Sequence, residues 1–138
     1  MYRIVWNNSA NAARGSKARG SLSVLLEGGT LDIVYRGAIE AEAIVALNRD
    51  LERLLANRRD VRRWVIETTE TTEFQVAPRE SIAHTLRLFR EHGGREFIVL
   101  TRNPILRMIG AAIRFSRHAP AQIFGSRDEL RTASLGPN

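Results

Sequence analysis

From Leu22 onward the chain alternates short apolar runs with stretches of helical periodicity, and this order limits the fold more than any other feature. Residues 22–27 and 31–36 are strand-like runs separated by Gly28, Gly29 and Thr30, a spacing that predicts a hairpin. Within residues 42–57, Ile44, Leu47, Leu51, Leu54 and Leu55 fall within about 100° on a wheel of 3.6 residues per turn, which predicts an amphipathic helix. Residues 61–67 hold β-branched and aromatic side chains suited to a strand. Pro78 opens a second helix in which Ile82, Leu86 and Phe89 make the apolar stripe, with Gly93 and Gly94 marking its end. Residues 97–101 read as a short strand buried on both faces. Asn103 as N-cap and Pro104 in the first turn predict a third helix to about Arg117. Residues 122–125 read as a last strand, and Ser126 to Glu129 has the S-x-x-E form that caps a terminal helix. Strands and helices alternating through short connections predict an α/β layer structure, with a mixed, largely parallel sheet, an antiparallel starting hairpin and about four helices.

The first 21 residues differ. A short strand at residues 2–6 is followed by NNSANAARGSKARGS, a polar, glycine-punctuated stretch that reads as a mobile or irregular arm, so residues 1–21 are set apart from a single domain at 22–135. A chain of 138 residues is about the size of one domain. No apolar run approaches the roughly 20 residues that span a bilayer, and no secretory apolar segment opens the chain, so a cytoplasmic location is expected. Cysteine is absent, which excludes disulfides, thiol nucleophiles and thiolate metal sites. The formal charge of +6 divides unevenly: residues 1–26 carry +4 and residues 97–127 carry +5, leaving −3 in between. Of 21 basic residues 20 are arginine, a ratio that genome base composition explains as readily as selection for phosphate or carboxylate forks, so the excess is weak support for a nucleic-acid partner.

Little in the sequence points to catalysis. His84, His92 and His118 lack a metal-ligand spacing, and the glycine pairs at 28–29 and 93–94 belong to turns and make no phosphate cradle. Glu67, Glu70 and Glu73 have no nucleophile paired with a base, and read as a solvated loop before a helix. No cofactor, metal or catalytic residue is expected. Arg107 and Arg114 lie together on the third helix, but no aromatic residues interleave with them to stack bases. The apolar residues of that helix cover about half the wheel, more than one sheet contact needs, which points to Leu106 and Ile113 as an oligomer or ligand patch. Leu88 falls away from the apolar stripe of the second helix and is expected on a partner surface.

Three segments carry a resemblance. Ile33-Val34-Tyr35-Arg36-Gly37-Ala38-Ile39-Glu40 looks like a strand ending in glycine and an acid, Trp64-Val65-Ile66-Glu67 like a strand ending in aspartate, and His92-Gly93-Gly94-Arg95-Glu96-Phe97-Ile98-Val99 like a helix end and the next strand. With the element order, they make residues 22–134 resemble the anti-sigma-factor antagonist, or STAS, domain. In that family a D-S-S-G or D-T-S-G loop carries a hydroxyl that a partner kinase phosphorylates to switch binding. The matching positions here are Gln75, Val76, Ala77 and Pro78, and none bears a hydroxyl. The resemblance therefore implies a non-enzymatic, regulatory protein-binding module without the usual serine switch, docking through residues 72–81 and the second helix. The residues concerned are Thr72, Phe74, Gln75, Val76, Ala77, Arg79, Ser81 and Leu88. The partner it implies is a regulator, a kinase-like anti-sigma factor or an ATPase subunit, with a homodimer also open. Two other readings stay open: carriage of a lipid or small apolar ligand, as in a branch of the same superfamily, and nucleic-acid binding through the basic arm and third helix.

Overall fold

The computed structural model describes residues 2–7, 20–75, 78–104, 106–108 and 121–135. Its elements, in chain order, are β1 (Tyr2–Asn7), β2 (Ser21–Glu27), β3 (Thr30–Ile39), α1 (Ala41–Leu54), β4 (Arg63–Phe74), α2 (Arg79–Glu91), β5 (Glu96–Leu100), β6 (Ala121–Phe124) and α3 (Arg127–Leu135). The strands form one six-stranded sheet in the order β1-β2-β3-β4-β5-β6. β1, β2 and β3 are antiparallel neighbours, and β3 through β6 run parallel. The β2–β3 hairpin turns at Gly28, whose φ of 59° lies in the left-handed region that suits glycine. β1 pairs with β2 from Tyr2↔Leu26 to Asn7↔Ser21, so the short strand read at residues 2–6 is present and supplies the edge strand of the sheet.

Period-two alternation on β2 and β3 puts Leu22, Val24, Leu26, Leu31, Ile33 and Tyr35 on one face, where they are buried under α1 and α2. α1 contributes Ala43, Ile44, Leu47, Leu51 and, just past its end, Leu55. At the centre stand Trp64, Phe89 and Phe97: Phe89 meets Trp64 edge-on at 5.7 Å and Phe97 at 5.2 Å. A second, smaller apolar cluster lies on the opposite face, where Val65, Ile98 and Leu100 pack with Phe124 and with Leu130 of α3. Below α2, Gly93 has φ 90°, and a Cβ there would lie 2.1 Å from the Arg59 carbonyl oxygen, so only glycine fits the turn into β5.

Two helix starts follow their sequence signals. Asn103 Oδ1 accepts from the Leu106 N–H at 3.4 Å, and the Arg107 N–H donates to the Asn103 carbonyl at 3.0 Å, as an N-cap should. Of the third helix expected over 104–117, Pro104 and residues 106–108 are described; Ile113 and Arg114 lie outside the described residues. At α3 the Glu129 N–H donates to Ser126 Oγ at 3.2 Å, while Glu129 Oε2 accepts from the Gly125 N–H at 2.6 Å, a capping box shifted back by one residue.

The structure corrects two expectations. β4 does not end at Glu67 but runs on to Phe74, so most of the acidic, threonine-rich segment is strand. Leu88 is 2% exposed, inside the core beside Phe89. α2 has two neighbours: Ile82, Leu86 and Phe89 serve the main core, while a second stripe faces α1. On that stripe buried Asn48 donates from Nδ2 to the Ser81 carbonyl at 3.0 Å and accepts at Oδ1 from Thr85 Oγ1 at 2.8 Å. His84 meets Glu52 of α1 in the same line, and Leu88 continues it one turn on.

Candidate functional site

In a sheet with parallel strands and crossover helices, binding sites gather at the carboxyl ends of the strands. Here that end is shaped by unequal strand lengths. β4 pairs with β5 only from Arg63↔Glu96 to Glu67↔Leu100, then continues beside β3 alone to Ile39↔Phe74. Along this stretch residues 67–74 of β4 lie against residues 34–39 of β3, eight positions against six, with register shifts between Val34 and Arg36 and between Gly37 and Ala38. Each shift absorbs one residue of β4, as a bulge does.

The bulges re-phase the sequence. Glu-Thr-Thr repeats with a period of three, whereas a regular strand changes face every residue. With one residue absorbed per repeat, Glu67, Glu70 and Glu73 stand in register with Val34, Arg36 and Ala38, all on the face of β3 turned away from α1 and α2. Glu67 is buried there and is bonded by Arg127 Nε and by the Thr69 hydroxyl, which donates to Oε2 at 2.7 Å. Arg127 also donates from Nη2 to Asp32 Oδ1 at 2.9 Å, so one guanidinium from α3 clamps β3 and β4. Burial by itself would lower the Arg127 pKa, but the bonds and charges of Asp32 and Glu67 outweigh it and raise it above the usual value. Farther along, Arg36 Nε meets Glu70 Oε2 at 2.7 Å, and Arg36 Nη1 donates to Ser23 Oγ at 3.3 Å.

The strand ends in a pinned connection. The Phe74 ring lies edge-on to Tyr35 at 5.4 Å, and burial pushes the Tyr35 phenol well above its ordinary range. The Gln75 N–H donates to the Ile39 carbonyl at 2.9 Å, and Gln75 Oε1 accepts from the Ala41 N–H at 3.1 Å. Gln75 thus caps α1, whose N-cap residue Glu40 makes no side-chain cap bond. α2 begins directly beyond, with Pro78, Arg79 and Glu80 exposed.

Of the residues expected to bind a partner, Thr72, Gln75 and Arg79 are exposed at this end, and Phe74 is half-buried against Tyr35. Val76 and Ala77 lie outside the described residues. Ser81 is half-buried with its carbonyl turned to Asn48, and buried Leu88 offers nothing to a partner. Leu106 is half-buried, and Met108, two positions on, is 66% exposed. Two depressions of about 180 and 280 Å³ lie where β2 and β3 leave the second face open, lined by Ser23, Leu25, Glu27, Asp32 and Arg36 among others. Both are smaller than the roughly 300–1,000 Å³ of a typical ligand pocket. Among the described residues no helix is long and apolar enough to cross a membrane, and no three His, Asp or Glu side chains converge as metal ligands. The sequence reading missed the Arg127 clamp, whose partners lie 60 and 95 positions away.

No family model and no curated protein sequence matches the chain. Solved structures do match its fold, among them the following two. One is described as an uncharacterized protein from the DUF3478 family with a SpoIIAA-like fold, from Shewanella loihica PV-4; at 11% identity and a TM-score of 0.52 the match covers 84% of this chain and 94% of that one. The other is an anti-sigma factor antagonist from Mycobacterium paratuberculosis, at 11% identity and a TM-score of 0.53, covering 85% of this chain and 95% of that one. With the strand order, the α1 and α2 layer and α3 opposite, these matches show that the chain has the SpoIIAA-like α/β fold of STAS domains.

Proposed function

We propose that this protein is a non-enzymatic regulatory module that docks another protein at the carboxyl end of its sheet, through the end of β4, the connection at 75–78 and the first turn of α2. The observation that carries the reading is the cluster of exposed Thr72, Glu73, Gln75, Pro78 and Arg79 on a connection held at both ends: Gln75 is bonded to Ile39 and Ala41, and the Pro78 carbonyl accepts from Ser81 and Ile82. An exposed, polar ledge on either side of residues 76 and 77 suits recognition of a partner surface. The fold shared with an anti-sigma factor antagonist supports a protein partner, such as a regulator, a kinase-like anti-sigma factor or an ATPase subunit, met in the cytoplasm.

Binding here is constitutive in this reading, because Gln75, Val76, Ala77 and Pro78 offer no hydroxyl to a kinase. A phosphate on this connection would add about −1.5 to −2 charges near Glu73 and Glu80, which the start of α2 offsets only in part. The test is capture of a partner from the source cell by tagged protein. Ala77→Asp should abolish capture without unfolding the chain, and Ala77→Ser should leave it intact. Full capture by folded Ala77→Asp protein would refute the docking surface.

A further inference from the structure

The overhang of β4 offers more than side chains. β5 stops at Leu100, opposite Glu67, and the chain then turns away: the Thr101 N–H donates to the Phe124 carbonyl, and the Asn103 N–H donates to Thr101 Oγ1. Thr68 Oγ1 donates to the Leu100 carbonyl at 3.2 Å and closes the step. Beyond it, no described residue pairs with the edge of β4 that faces away from β3. Among the described residues, 69–74 thus form a strand paired on one side only, about the usual length of a strand. Such an edge is a row of backbone donors and acceptors that another extended chain satisfies.

We infer that this edge receives an extended strand from the docked protein, and that the incoming strand is basic. The inference rests on the docking reading above and names its mode. Glu70 and Glu73 are exposed on the overhang; Arg36 pairs with Glu70, and among the described residues Glu73 has no ion partner, so the edge offers one uncompensated carboxylate although the chain carries +6. A second copy of the same edge would set carboxylates against carboxylates, which disfavours self-pairing. Arginine or lysine at alternate positions of a foreign strand meets Glu73, and can share Glu70 with Arg36, while its backbone completes the ladder.

The probe is a capped, fluorescein-labelled heptapeptide of alternating arginine and valine, with a copy N-methylated at alternate amides as its control. The parent peptide should bind in fluorescence anisotropy and should slow amide exchange at residues 69–74. N-methylation should weaken binding about tenfold or more, because charge is kept and the ladder is lost. Glu73→Lys should weaken it similarly. Thr72→Pro should also block binding while the fold survives, because Thr72 has no register partner in β3 and proline is tolerated at such a bulge. Equal binding of the N-methylated peptide, or protection outside residues 69–74, would overturn the strand-addition proposal whatever the variants do. The docking reading is separable: partner capture lost on Ala77→Asp but kept on Thr72→Pro leaves docking standing and removes strand addition.

Discussion

Replacing Arg127 by alanine removes the only side chain among the described residues that ties α3 to both β3 and β4 by charge. Were the pair with Glu67 fully dry, stranding its carboxylate would cost about 3–5 kcal/mol, and a fully solvated pair would be worth about 0.2–1 kcal/mol. The geometry lies between these limits. Glu67 is 11% exposed at its side chain but Arg127 is 42% exposed, so water reaches one partner, and Glu67 keeps the Thr69 hydroxyl. We therefore expect Arg127→Ala to cost about 2 kcal/mol in urea unfolding followed by circular dichroism, and to lower the thermal midpoint by about 5–10 °C. Glu67→Gln alone should cost about 1 kcal/mol, since the amide oxygen still accepts from Arg127 and the amide NH2 can donate to the Thr69 hydroxyl. In the double-mutant cycle the two changes should couple by about 1 kcal/mol, because each removes the same bond. A loss under about 0.5 kcal/mol for Arg127→Ala, with no coupling, would show that the clamp is a solvated surface pair.

The aromatic centre predicts a larger effect: Phe89→Ala should cost about 4–5 kcal/mol, at the upper end for such changes, because Trp64 and Phe97 are held on strands and cannot close the cavity. Leu88→Ala should cost about 2–4 kcal/mol, and a negligible loss in denaturant titration would contradict its burial. The raised Tyr35 pKa has a definite sign. Burial favours the neutral phenol in the fold, so its contribution is intact below about pH 10, where an unfolded tyrosine titrates, and is lost as pH rises beyond that. Tyr35→Phe should flatten the alkaline limb of a stability-against-pH curve, and an unchanged limb would assign alkaline unfolding to other groups.

The sequence made some levels of this structure legible and hid others. Strongly periodic elements were readable: the hairpin around Gly28, α1 from its leucine stripe and α3 from its capping box all lie where pattern and turn chemistry put them. The end of β4 was not, because Glu-Thr-Thr-Glu-Thr-Thr has no alternating apolar face; the bulges that accommodate its period of three exist only once β3 lies alongside. Leu88 was misplaced because a helix with two neighbours has two buried stripes, and the one facing α1 is built from Ser81, His84 and Thr85. At the candidate site the residue types and the position of the connection were readable. The capping role of Gln75 and the reach of Arg127 depend on chain segments 34 and up to 95 positions away.

The central claim, a protein-docking surface at the carboxyl end of the sheet, is tested most directly by hydrogen–deuterium exchange of the chain alone and in complex with the protein it captures from its own cell. The account predicts slowed exchange at residues 69–83, covering the β4 overhang, the connection and the first turn of α2, with little change on β2 and β3. Protection confined to the open face around Ser23, Asp32 and Arg36, or to the surface around Leu106 and Met108, would contradict it.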